Sequence, residues 1–183
     1  HFDYLIEEVF PVWKAARTPR RIWSAGCSSG EEPYTLGILL REHLPRVDVR
    51  ILATDLSTRV LARAKAARYA PPTVQDIPSA LRARYLERTT EDGQVGFQVS
   101  PEVTQLVSFA RLNLMGDWPM RGQFDLILCR NVMIYFNDDT RTTLGRRFAK
   151  HLAPDGVLMI GHAESLAALD QPLQLIRPAI YAH

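Results

Sequence analysis

Apolar residues recur at Phe2, Leu5, Ile6, Val9, Phe10 and Trp13, a spacing that puts them on one face of a helix. Phe2 to Ala16 is therefore predicted helical, with Thr18-Pro19 ending it. A strand-like run from Arg21 to Ala25 follows, then a glycine-bearing loop. The next helix is predicted from Pro33, suited to a first turn, to about His43. Val49 to Thr54 reads as a buried strand closing at Asp55, after which Ser57 caps a helix running to about Tyr69. Further along, Val107 to Asn113, Phe124 to Cys129 and Val157 to Ile160 read as strands. Asp138 to Leu152 reads as a helix with Gly156 as its stop signal. Leu173 to Ile176 and Ala179 to Ala182, around Arg177-Pro178, suggest a terminal antiparallel hairpin.

The rhythm breaks once. Connections in α/β units usually run about 2–6 residues, yet the whole stretch from Ala70 to Leu106 parts one helix from the next strand. It holds a Pro-Pro turn, a short helix around Ser79 to Glu87, a turn at Asp92-Gly93 and a strand-like Val95 to Val99. This is expected to be a small inserted β-subdomain at 70–106, part helix and part hairpin. The fold class is α/β: one domain over 1–183, a Rossmann-like, doubly wound and mostly parallel sheet ending in an antiparallel hairpin.

Composition narrows the function classes. A net charge of +2 predicts no strong attraction to nucleic acid. No apolar run approaches the 18 or so residues of a membrane span, so no membrane insertion is expected. The two cysteines, Cys27 and Cys129, suit a reduced, cytoplasmic protein better than a disulfide scaffold. The chain opens at His1 in what reads as mid-helix, without an initiator Met, and is expected to be part of something longer. His43, His151 and His162 lack paired ligand spacing, so no metal site is expected. There is no Gly-x-Ser-x-Gly elbow and no Walker-type lysine.

The candidate chemistry lies at the ends of the strands, where open α/β sheets bind ligands. In Ala25-Gly26-Cys27-Ser28-Ser29-Gly30, small residues permit a tight turn and close ligand approach. Glu31 and Glu32 follow at once and would repel a pyrophosphate; they suit a cationic ligand, or else complement a helix dipole. Asp55 stands where an acid accepts hydrogen bonds from ribose hydroxyls, the alternative being a loop or capping acid. Asn113 and Leu114 could hold a flat heterocycle such as adenine, although a strand-end Asn is also a common turn residue. Arg130, Asn131 and Tyr135 after the fourth strand read as a site loop; the other reading has Arg and Asn satisfying carbonyls while Tyr135 packs inward. The basic row Arg59, Arg63, Lys65 and Arg68, with Arg82, Arg84 and Arg88, is read first as a solvated face and second as a dock for an acidic helix. A nicotinamide dehydrogenase lacks its Gly-x-Gly-x-x-Gly here.

Taken in order, SAGCSSGEEPY, LATDLS, LNL, CRNVMIYF and PDGVLMIGHAES resemble the catalytic domain of the bacterial chemotaxis receptor methyltransferases, the CheR type, from about Phe2 onward. The resemblance implies a class I S-adenosylmethionine enzyme that esterifies glutamate side chains on the cytoplasmic helices of chemotaxis receptors, leaving S-adenosylhomocysteine. It implies that Ala25 and Gly26 border the methionine moiety, Glu32 holds its ammonium, Asp55 takes the ribose, Leu56 also contacts the cofactor, and Asn113 and Leu114 take the adenosine. Arg130 and Asn131 would line the methyl-transfer pocket and Tyr135 would sit near the methyl. Family members also have an upstream Thr-x-Phe-Phe-Arg stretch, expected to lie before His1. Members that grip a receptor tether carry Gly-x-Gly in the small hairpin, where this chain reads Thr89-Thr90-Glu91. The alternative function is a non-catalytic sensing or docking module.

Overall fold

The computed structural model describes residues 1–183. Helices α1 (Phe2–Tyr4) and α2 (Phe10–Ala16) are joined by a π turn, Leu5–Val9, where a plain helix was expected. Pro11 explains the difference. It has no N–H to give the preceding turn, and the Phe10 N–H reaches back to the Leu5 carbonyl instead. β1 (Arg20–Ala25) leads into α3 (Glu31–His43), and β2 (Val49–Asp55) into α4 (Thr58–Ala66). Ser57 caps α4 by accepting from the Val60 N–H at 3.5 Å, but the helix stops before Tyr69. Ala67 turns left-handed (φ 51°), and Arg68–Tyr69 becomes the short strand β3.

Next come α5 (Pro71–Val74), α6 (Ser79–Tyr85), β4 (Leu86–Glu91), β5 (Gln94–Val99) and α7 (Pro101–Thr104). Strands β3, β5 and β4 form a separate antiparallel sheet in that order, with Asp92-Gly93 as the hairpin turn. Thr89-Thr90-Glu91 is regular edge strand. Arg68 crosses the sheet face, donating to Thr89 Oγ1 at 3.3 Å and lying where a side chain on Gly96 would be.

The main sheet adds β6 (Val107–Arg111), β7 (Phe124–Cys129), β8 (Leu152–Ile160), β9 (Gln174–Arg177) and β10 (Ile180–Ala182), with α8 (Asp138–His151) between β7 and β8. Its order is β6-β2-β1-β7-β8-β10-β9, parallel from β6 to β8 and antiparallel through β10 and β9. Gly156 is not a helix stop. The chain passes straight from α8 into β8, and the register jumps from Phe124↔Leu152 to Leu126↔Val157, so Ala153 to Gly156 form a bulge within the strand.

Central strands are buried on both faces, which is why Ile22 to Ala25 and Leu126 to Cys129 read as continuous apolar runs rather than alternations. On one face Trp23, Ile127 and Leu158 pack against Phe148 of α8. On the other, Ile22, Leu126 and Met159 meet Leu36 and Leu40 of α3 together with Phe10 and Trp13 of α2. Each such side chain contributes about 1.5–3 kcal/mol by leaving water. The one polar atom of Trp23 is satisfied: its Nε1–H donates to Thr54 Oγ1 at 2.9 Å. No helix is long and apolar enough to cross a membrane.

Candidate active site

From β1 the chain steps outward in one direction to β2 and β6, and from β7 in the other direction to β8. The loops leaving β1 and β7 therefore diverge, and the crevice between them is the switch point of the sheet. The candidate ligand and transfer residues from the sequence lie along this edge, while the basic row sits on α4 and the small subdomain. Gly26 makes the turn out of β1 at φ 81°, and its N–H and that of Cys27 both donate to the Thr54 carbonyl, at 2.8 and 2.9 Å. Ser28 (φ 50°) and Gly30 (φ 93°) continue the left-handed path into α3. A Cβ on Gly26 would overlap Val132 of the opposite loop, so the two loops come together here only because residue 26 is glycine. Ala25, at the end of β1, is buried.

α3 starts at Glu31, two residues ahead of the sequence expectation, because Gly30 supplies the left-handed N-cap. Glu32 then faces inward. Its Oε1 accepts from the Ser24 hydroxyl at 2.8 Å, and its Oε2 accepts from an Arg130 guanidinium nitrogen at 3.2 Å. Burial pushes the Glu32 carboxyl above the usual glutamate value, opposed by the Ser24 hydrogen bond and by the Arg130 charge. Glu31 turns outward and takes the Ser29 hydroxyl. Cys27 is filler in this loop, not a nucleophile: burial, then the nearby Asp55 charge, push its thiol up to about 12.

Asp55 is held at both oxygens, accepting from the Ser28 N–H and the Ser57 N–H at 2.9 Å each. Leu56 beside it is exposed. Asn113 lies two residues past the end of β6, with Oδ1 accepting the Met115 N–H at 3.0 Å, which leaves its amide NH₂ free; Leu112 and Leu114 flank it, buried. Arg147 of α8 secures this stretch, donating to the carbonyls of Leu114 and Gly116 at 2.7 and 2.6 Å while stacking on Trp118.

After β7, Arg130 is pinned between Glu32 and the ring of Phe2, and Asn131 is left-handed at φ 57°. Tyr135 is 79% exposed, so the reading that packs it in the core does not hold. Together these groups line two adjoining cavities. One, about 330 Å³, is bounded by Gly26, Glu31, Glu32, Thr35, Arg130 and Asn131. The other, about 270 Å³, is bounded by Asp55, Leu56, Asn113, Leu114 and Tyr135. Gly26 and Asn131 belong to both. The two cavities adjoin at Gly26 and Asn131, one ionic, the other apolar with amide and carboxylate groups and open at Tyr135.

The CheR methyltransferase SAM-binding domain family model matches residues 1–181. The chain belongs to that family. This CheR-family chain is 41% identical over 191 aligned positions to a chemotaxis protein methyltransferase of Borreliella burgdorferi, covering 99% of the chain and 66% of the relative. It is 38% identical to chemotaxis protein methyltransferase 2 of Pseudomonas aeruginosa (90% of the chain, 60% of the relative) and 36% identical to the Escherichia coli chemotaxis protein methyltransferase (88% and 58%). The chain thus spans under two thirds of the length of these relatives. A solved glycopeptide N-methyltransferase, MtfA, shares the fold at a TM-score of 0.50 and 15% identity, over 85% of this chain and 52% of that one.

Three residues at this edge were not foreseen as site residues: Ser24, Arg147 and Glu164. Ser24 reads as an ordinary strand residue until its hydroxyl is seen beneath Glu32, and Arg147 as one more polar position on a solvent-facing helix. Glu164 lies in the Gly-His-x-Glu-Ser stretch that helped to mark the family, so a signal existed, without a role attached to it.

Proposed function

We propose that the full-length protein carrying this chain transfers the methyl group of S-adenosylmethionine to glutamate carboxylates on chemotaxis receptor cytoplasmic helices, in the cytoplasm. The observation that supports this reading is the pair of adjoining cavities, one lined by Glu32 and Arg130, the other by Asp55, Asn113 and Leu114, sharing Gly26 and Asn131. The donor set fits the molecule. Each Glu32 oxygen has one partner, so lone pairs remain for an ammonium without expelling Arg130. Asp55 likewise has room for ribose hydroxyls, the free Asn113 NH₂ for a base nitrogen, and Leu114 for an apolar ring face. Ala25 and Gly26 offer no side chain that would block the methionine moiety.

When bound, S-adenosylmethionine supplies a methyl group on a positively charged sulfur, which an oxygen can displace in line. The C–O bond forms as the S–C bond breaks, and the electron pair stays on sulfur. A glutamate acceptor, with an unperturbed pKa of about 4.3, is already ionised at neutral pH. No general base is needed. Opposite charges are neutralised in the transition state, so the residues act by holding the partners in line and excluding water. Such positioning can be worth roughly 7–11 kcal/mol. In this account Arg130 and Asn131 line the transfer path, and Tyr135 at the open mouth orients the incoming carboxylate.

Two measurements test the reading. Calorimetry should show S-adenosylhomocysteine binding to this chain and no binding of NAD. The full-length protein should place base-labile methyl esters, which release volatile methanol in alkali, on receptor cytoplasmic fragments. Ligand binding without methanol release would favour the sensing-module alternative; no binding would reject both.

A further inference from the structure

Tyr135 has nothing of its own to hold it. Its hydroxyl makes no hydrogen bond and its ring is mostly in solvent, so its position is that of the short 3₁₀ turn Met133–Tyr135 on which it rides. Met133 fixes the turn to the core by burial, and one side chain holds its backbone from behind. Glu164, only 5% exposed, accepts from the Ile134 N–H through Oε1 at 3.1 Å and from the Asn131 N–H through Oε2 at 3.1 Å. A third amide, that of Gly161 at the end of β8, also donates to Oε2. No Lys, Arg or His pairs with Glu164, so the buried carboxylate is compensated by backbone amides alone. Gly161 is what lets it approach: a Cβ there would stand 2.6 Å from Glu164 Oε2 and 2.8 Å from Asn131 Oδ1.

We infer that Glu164 is a positioning residue for methyl transfer, fixing Asn131 in its left-handed conformation and setting Tyr135 at the cleft mouth from the far side of the loop. This rests on the methyltransferase reading above. Only a carboxylate one methylene longer than aspartate offers two acceptor oxygens at this reach. Glutamine would turn its NH₂ against at least one donating amide, and alanine would leave three amides without an acceptor. Because the donor-side groups Asp55 and Asn113 are held by other bonds, loosening this loop should reach the acceptor end first.

The test uses Glu164→Gln, with Gly161→Ala as the second variant because it displaces the carboxylate while keeping it. In the full-length protein both should lower kcat by roughly 10- to 100-fold, the scale of a 1 Å misplacement, while S-adenosylhomocysteine affinity changes less than about threefold. Amide hydrogen exchange at Asn131 and Ile134 should accelerate in both variants. A Tyr135→Phe change should cost less in the Glu164→Gln background than in the wild type, since an unplaced hydroxyl has little left to lose. Unchanged kcat, a parallel loss of kcat and ligand affinity, effects that simply multiply, or failure of both variants to fold would each overturn the inference. A wild-type protein that neither binds the ligand nor forms methyl esters would instead reject the methyltransferase reading, and the exchange measurement would still report whether Glu164 holds the loop.

Discussion

On the donor side of the cleft the polar groups are tied into the fold before any ligand arrives. Asp55 takes two amides, Glu32 takes a hydroxyl and a guanidinium, and Tyr69 of the small sheet donates its hydroxyl to the Ser29 carbonyl at 2.8 Å, steadying the turn that leads into α3. On the acceptor side Tyr135 stands 79% exposed on a loop braced only from behind. Under the proposed function the contrast matches two different demands. A small ligand binds best in a preformed cleft, because ordering the cleft would cost affinity. A side chain delivered by a macromolecule needs an open approach, and one rigid support behind the loop leaves that approach clear.

The largest expected effect is on the donor side. Glu32→Ala removes the proposed ammonium partner and leaves Arg130 part-buried without its anion. S-adenosylhomocysteine binding should weaken by about 2–5 kcal/mol, read by calorimetry, and unchanged affinity would break the assignment of the two sides. Gly26→Ala comes next. The left-handed backbone costs an alanine about 1–2 kcal/mol, and overlap with Val132 adds about 1–3 kcal/mol. Thermal denaturation should show the loss, and Val132→Ala should recover only the overlap part.

On the acceptor side, Tyr135→Phe should lower kcat about tenfold, or roughly 1.4 kcal/mol, with ligand affinity and melting temperature unmoved because the ring is exposed. A fall in affinity instead would merge the two sides. Tyr69→Phe removes one hydrogen bond to the glycine turn and should cost about 1 kcal/mol of stability in thermal denaturation, loosening the donor side without touching turnover chemistry.

The smallest effect is a pH dependence. Burial holds the Glu32 carboxyl above the ordinary glutamate value in the free protein. An ammonium needs it ionised, so binding should be strongest above that raised pKa and fade as pH falls through it. Binding at mildly acid pH should release protons, which calorimetry in buffers of different ionisation enthalpy detects.

The sheet and its edge were legible because local patterns and tertiary burial agree there. Phe124–Cys129 has the expected bounds, and the candidate residues after β1, β2, β6 and β7 lie along one edge of the sheet. The misreadings have local signals overruled by distant partners. Nothing in Ala64 to Tyr69 announces a helix end without glycine; Ala67 turns because Arg68 and Tyr69 are claimed by β5. Gly156 resembles a helix stop, but β7 draws the chain into β8 as soon as α8 ends. Glu164 was the hardest to see. Its three partners are backbone amides, which no side-chain pattern records, and two of them lie some thirty residues earlier.

That separation has a consequence for synthesis on the ribosome. Glu32 and Asp55 leave the exit tunnel first and Tyr135 follows, while Glu164, the carboxylate that braces its loop, emerges some thirty residues later still. A nascent chain can therefore shape the pocket for its small ligand before the delivery end is locked. Competence for transfer should therefore lag behind the formed ligand pocket as the chain is made.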